Sequence, residues 1–98
     1  MKISLIIPTW NRSDLVGACL RSAGAQTFRD FEAVVVDDGS TDDTAAVLAR
    51  DFPWARVVRL PRNSGFARAV NAGIAAARGE WLLLLNNDMT LDPHCLGR

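Results

Sequence analysis

Little in this 98-residue sequence announces a specialised chemistry, and each shortage removes a class of function. His94 is the sole histidine and has no partner at metal-ligand spacing, so a zinc site and a Ser/His or Cys/His nucleophile both lack support. The two cysteines, Cys19 and Cys95, form neither a CxxC pair nor a Cys/His cluster and read as reduced helix residues, not a disulfide framework. Eleven acidic and eleven basic residues cancel and are intermixed, which excludes the one-sided positive surface of a nucleic-acid-binding domain. No apolar run approaches a bilayer span and no signal-peptide architecture opens the chain, so a soluble, cytoplasmic domain is expected. Neither G-x-G-x-x-G nor G-x-x-x-x-G-K-[ST] occurs, so the dinucleotide fingerprint and the P-loop are absent. There is no internal repeat, low-complexity tract or linker. Length allows one small domain, or a piece of a larger one.

What is present is one grammar used repeatedly. In Ala33-Val-Val-Val-Asp37-Asp38-Gly39-Ser40 a β-branched run ends abruptly in two carboxylates and a glycine turn. Such a run reads as a strand buried on both faces. Lys2 to Pro8 runs likewise into Thr9-Trp-Asn11, with Pro8 expected to close the strand, and Trp81 to Asn86 runs into Asn87-Asp88. Arg56 to Leu60 alternates polar and apolar residues, as a half-exposed edge strand does. Three helices are predicted between these strands. The first is capped by Ser13 and runs to about Ala25, burying Leu15, Val16, Cys19, Leu20 and Ala23, with Gly17 and Gly24 packed close to the sheet. The second covers about Asp43 to Asp51, capped by Thr41 or Asp42 and stopped by Pro53. The third spans Phe66 to Arg78, presents Phe66, Val70, Ile74 and Ala77 on one face, and has Gly79 as its C′ residue.

The order βαβαβαβ with short, right-handed crossovers gives an α/β fold: a Rossmann-like three-layer α/β/α arrangement on a parallel sheet. Ligands bind such sheets outside the carboxyl ends of the strands. Four polar endings meet on that rim: Thr9 and Asn11, Asp37 and Asp38, Asn63 and Gly65, and Asn86 to Asp88. For Asp37 the turn-capping role is favoured. For Asp38, beside Gly39, ligand contact is favoured, and its removal is expected to leave the fold intact because it sits at a strand end. Arg12, Arg62 and Arg68 are candidate phosphate contacts, each also readable as a solvated arginine. Asn86 and Asp88 offer oxygen ligands suited to a divalent ion that takes most of its coordination from phosphates, although Asn and Asp in a turn need no ligand to explain them.

Pro8-Thr-Trp-Asn11, Val36-Asp-Asp-Gly-Ser40, Asn63-x-Gly65 with Asn71-x-Gly73-Ile74, Ala77-Arg-Gly79-Glu80 and Leu85-Asn-Asn-Asp88 resemble, in order and spacing, the motifs of family 2 glycosyltransferases. The resemblance covers essentially the whole chain. It implies the nucleotide-binding half of the GT-A fold, with sheet order 3-2-1-4, and a nucleotide site of Pro8, Thr9, Trp10, Asn11, Asp38, Asn63 and Gly65, with Asp38 on a pyrimidine base. It implies Mn²⁺ or Mg²⁺ at Asp88 and Asn86, where the family's D-x-D reads N-N-D, a form similar to rhamnosyltransferase-like members. The implied donor is a UDP- or dTDP-sugar, and the reaction an inverting transfer to an acceptor glycan or lipid-linked saccharide in cell-surface polysaccharide biosynthesis. In that family the general base lies well beyond the D-x-D segment, so no catalytic base is expected within these 98 residues. The chain would then be a truncated donor half, inactive alone, of a longer protein peripheral to the inner membrane. Self-association through strand 81–86 is expected if that strand is left as an edge. A non-catalytic nucleotide-binding module is the alternative. A nucleotidyltransferase would need a glycine-rich loop after the first strand. A receiver-like signalling domain would need a late lysine, and the sole lysine is Lys2.

Overall fold

The computed structural model describes residues 2–86. Strand β1 (Ile3–Thr9), helix α1 (Ser13–Gly24), β2 (Phe31–Asp37), α2 (Thr44–Asp51), β3 (Arg56–Arg59), α3 (Phe66–Ala76) and β4 (Trp81–Leu84) follow one another along the chain. All pairings are parallel and the sheet order is β3-β2-β1-β4, as expected. The pleat sends alternate residues of β1 and β2 to opposite faces. Leu5, Ile7, Ala33 and Val35 meet Val16, Cys19, Leu20 and Ala23 of α1 and Leu48 of α2 in the main core. Ile6 and Val36 lie on the other face, under α3. The result is the three-layer α/β/α arrangement.

Pro8 does not end β1; it pairs with Val36, and the strand runs on to Thr9. The carbonyls explain why. That of Ile6 accepts from Leu85 beside β4, and that of Thr9 accepts from Asp38 beside β2. Even-numbered backbone groups therefore face β4, whose pairing stops at Ile6↔Leu84, so Pro8, with no N–H to donate, lies beyond the last pair of that ladder while the strand continues on its β2 side.

Helix α1 begins at Ser13 itself and has no side-chain cap; Arg12 precedes it and forms an exposed ion pair with Asp14 at 3.0 Å. That pair holds the Asp14 carboxyl below its ordinary range through the Arg12 hydrogen bond. The N-cap of α2 is Asp43, not Thr41 or Asp42, and it makes no side-chain cap hydrogen bond; Asp42, one residue earlier, accepts from the backbone N–H and hydroxyl of Thr44 at the helix start.

The glycine and helix-face expectations need correction. Gly17 and Gly24 are not in tight contact with the sheet; the atoms nearest to an added Cβ would be those of Arg21, from 3.5 Å, and of Trp54, from 3.4 Å. The close approach lies at α3, where a Cβ on Gly73 would sit 2.5 Å from Ile6 Cγ2 and 3.0 Å from Val36 Cγ2. Helix α3 therefore turns its small residues, Ala69 and Gly73, to the sheet and leaves Phe66 and Ile74 exposed. It also ends at Ala76, short of Arg78. Ala77 is extended, Arg78 N–H donates to Glu32 Oε2 at 2.6 Å, and Gly79 N–H donates to Ser4 Oγ at 2.8 Å. Gly79 is thus a close-contact residue against β1, where a Cβ would lie 2.6 Å from Ser4 N, and not a helix C′ residue.

Glu32, with a side chain only 4% exposed, organises this lower end of the sheet. It also accepts from Ser4 Oγ at 2.6 Å and from Arg56 Nη1 at 2.9 Å. Burial by itself would raise its carboxyl pKa; the bonds from Ser4, the Arg78 backbone and Arg56 outweigh that and hold it below the ordinary value. Among the described residues no helix is long and apolar enough to cross a membrane.

Candidate functional site

The opposite end of the sheet carries a cavity of about 330 Å³, between the carboxyl ends of β1 and β2 and the first turn of α3. Of the residues expected at a nucleotide site, Pro8, Thr9, Trp10, Asp38, Asn63 and Gly65 line it. Arg12 joins them, together with Phe66 and Ala69, which stand one helical turn apart at the start of α3. Neither is among the residues expected at the site; the sequence pattern places Phe66 on one face of the helix with Val70, Ile74 and Ala77 and assigns Ala69 no role. The available signal was position, since the first turn of a helix after a strand-end loop faces the rim of the sheet.

Asp38 forms the floor of the cavity and is only 5% exposed. It does not stand alone at a strand end. Oδ1 accepts the Ser64 N–H at 2.8 Å and Oδ2 accepts the Gly65 N–H at 3.0 Å, so the carboxylate fastens the β3–α3 loop. Gly65, at φ 96°, occupies the position before α3. Each carboxylate oxygen keeps a second lone pair, so the anchored group can still accept an N–H from a ligand. Gly39 makes this juxtaposition possible. Its φ of 74° favours glycine, and a Cβ there would fall 2.3 Å from the Arg62 carbonyl carbon.

Asp37 points the other way and is fully buried. Its Oδ1 accepts the Ser40 N–H at 3.0 Å, the turn role expected of it. Oδ2 has no hydrogen-bond partner; Arg59 Nε at 3.9 Å is within ion-pair range but too distant to bond it.

Asn11 does not line the cavity. It adopts φ 54°, its N–H donates to Ser40 Oγ at 2.9 Å, and its Oδ1 accepts from the Thr41 and Asp42 N–H groups at 2.7 and 3.3 Å. Of the arginine candidates, Arg12 alone reaches the cavity, with its guanidinium turned onto Asp14; Arg62 and Arg68 are exposed and do not line it. Asn86 is exposed just beyond β4, and Asp88 lies outside the described residues. Among the described residues there is no group of three or more His, Cys, Asp or Glu that could hold a metal ion.

An acidic floor, an aromatic wall and a helix start below strand carboxyl ends make a site for a ligand that offers N–H donors and a flat ring. The family model for glycosyl transferase family 2 matches residues 4–98. The chain belongs to this family. As a family 2 member it is 40% identical over 97 residues to the succinoglycan biosynthesis protein ExoO of Rhizobium meliloti, covering 98% of this chain and 28% of that one. The structure superposes on S. aureus TarS 1–349 in complex with UDP-GlcNAc with a TM-score of 0.92 at 33% identity, covering 99% of this chain and 29% of that one. It matches the Pyrobaculum calidifontis mannosyltransferase PcManGT, solved with GDP-Man and Mn²⁺, with a TM-score of 0.81 at 30% identity, over 89% of this chain and 27% of that one. The family 2 chain thus spans under a third of the length of these proteins. Its fold is the α/β, Rossmann-like fold of its GT-A glycosyltransferase neighbours.

Proposed function

We propose that the cavity binds the nucleoside end of a UDP- or dTDP-sugar, and that this chain is the donor-binding part of a longer glycosyltransferase. The observation that carries the reading is the Asp38 carboxylate, fixed by two backbone amides at the floor of a cavity walled by Pro8, Thr9 and Trp10. A carboxylate presents only acceptors, so it pairs with the ring N–H of uracil or thymine and not with the bare ring nitrogen of cytosine; guanine also offers a ring N–H, and the choice of a pyrimidine over it rests on the family resemblance. Trp10 and Phe66, 49% and 58% exposed at the mouth, offer flat faces to a base or sugar. TarS, solved with UDP-GlcNAc, supports the choice of ligand class.

The transfer itself goes to an acceptor hydroxyl, with inversion. Its acceptor wall and general base belong to the remainder of the longer protein, beyond residue 98. Asp88 and Asn86 make an oxygen-only donor set that suits Mn²⁺ or Mg²⁺ shared with a diphosphate. Such an ion, when bound, supplies positive charge to the departing diphosphate. The complete protein acts at the inner face of the membrane, on a glycan or lipid-linked saccharide. Within the described residues β4 is a sheet edge with Trp81, Leu82 and Leu84 exposed by 65, 48 and 44%. Such an edge recruits a strand, and this chain alone is expected to self-associate through it.

Calorimetry with UDP, dTDP, CDP, GDP and ADP in the presence of Mn²⁺ tests the reading. UDP and dTDP are expected to bind at least about tenfold more tightly than CDP, the discrimination of one good hydrogen bond to a charged group. Equal binding of all five, or of none, refutes it.

A further inference from the structure

We propose that Asn11 is a positioning residue: it sets the height of the Trp10 wall over the Asp38 floor without itself touching the ligand. The proposal rests on the nucleotide reading of the cavity for its effect on affinity, but its geometry stands apart from that reading. Trp10 and Arg12 line the cavity, while Asn11 between them turns away at φ 54°, a left-handed conformation that asparagine tolerates better than most residues. Its side chain crosses to the β2–α2 turn, 30 residues further along the chain. There Oδ1 accepts the Thr41 N–H at 2.7 Å and the Asp42 N–H at 3.3 Å, and Nδ2 donates to Thr41 Oγ1 at 3.3 Å.

The tie is reciprocal. Ser40 Oγ accepts the Asn11 N–H at 2.9 Å, and the Ser40 N–H is held in turn by the buried Asp37 carboxylate at 3.0 Å. Asp37 ends β2, and Asp38 follows it directly. The loop that carries the wall is therefore bound, through Asn11 and Ser40, to the strand end that carries the floor. A wall so tied is ordered before ligand arrives. Without the tie, binding must also order the loop, and affinity falls by that amount.

The test uses three variants of the full chain labelled with 5-fluorotryptophan, whose Trp10, Trp54 and Trp81 give separate ¹⁹F signals. Asn11→Gly keeps the left-handed backbone accessible and removes the side chain. Asn11→Ala removes both, and Asn11→Asp keeps the acceptor oxygens. Asn11→Gly and Asn11→Ala are expected to shift and sharpen the Trp10 signal without moving that of Trp54, and to weaken UDP binding by roughly tenfold. Asn11→Asp should restore both toward wild type. A Trp10 signal that stays in place in Asn11→Gly overturns the proposal. So does an equal loss of affinity in Asn11→Asp and Asn11→Gly with Trp10 unmoved, which would make Asn11 a ligand contact. If wild type binds no UDP, the nucleotide reading fails, and the Trp10 signal in the ligand-free variants decides the positioning role alone.

Discussion

Removing the Asp38 carboxylate should damage both the fold and the ligand site, and the two losses can be measured separately. In Asp38→Ala the Ser64 and Gly65 N–H groups lose acceptors at 2.8 and 3.0 Å. A hydrogen bond to a charged group contributes about 1.5–3 kcal/mol, and an orphaned buried donor costs about 1–3 kcal/mol. Both bonds are only part-buried and open toward the cavity, so water recovers some of the loss. A total of about 2–4 kcal/mol follows for the pair. Against a stability of about 5–15 kcal/mol the variant still folds, with Tm lowered by roughly 8–32 °C at about 4–8 °C per kcal/mol for a domain of this size. Asp38→Asn keeps one acceptor but turns an NH₂ toward the second N–H, and should lose about half as much. Circular dichroism melts give the stability term, amide exchange at Ser64 and Gly65 locates it, and UDP titration well below Tm gives the binding term. The anchoring argument is refuted if Asp38→Ala melts within about 2 °C of wild type and protection at Ser64 and Gly65 is unchanged. A normal stability loss with unchanged UDP affinity would instead leave Asp38 as a loop anchor alone.

Three further outcomes are expected. Glu32, whose carboxyl is held below its ordinary pKa, stabilises the fold fully above its unfolded value of about 4.3, and this contribution fades as pH falls through the lower folded value. The stability gap between wild type and Glu32→Gln should therefore close in acid melts below about pH 4, and a gap independent of pH would contradict the assignment. Leu82→Lys with Leu84→Lys, on the exposed β4 edge, should reduce concentration-dependent sedimentation of the chain, whereas identical sedimentation of both proteins would remove β4 as the contact. UDP affinity should rise with Mn²⁺ in wild type and lose that dependence in Asp88→Ala, because nucleotide and ion each complete the other's site; metal-independent binding in both would take Asp88 out of it.

Much of the architecture was legible in local pattern. A β-branched run buried on both faces, as in Ala33 to Val36, can hardly be anything but an interior parallel strand, and β2 is interior. The alternation from Arg56 onward marked β3 as an edge, and the polar residues ending β1 and β2 marked the rim where the cavity opens. Periodicity delivers this because pleat and helical turn are properties of the chain itself.

Partner choice among polar groups is a different kind of quantity. Asp38 looked like a solitary strand-end carboxylate, yet it anchors the amides of Ser64 and Gly65, 26 and 27 residues away. Asn11 looked like a ligand contact, yet its side chain closes a loop across the rim. Which buried N–H finds which oxygen is settled only when the strands are stacked and every donor must be satisfied at once. The same holds for α3. Its own pattern grouped Phe66, Val70, Ile74 and Ala77 on one face, but the residues buried are Ala69 and Gly73, and at Gly73 the helix comes so close to Ile6 and Val36 that a Cβ would clash. Apolar periodicity says that a helix has a face to bury; the distance between layers, a tertiary quantity, decides whether that face is built from large residues or small ones.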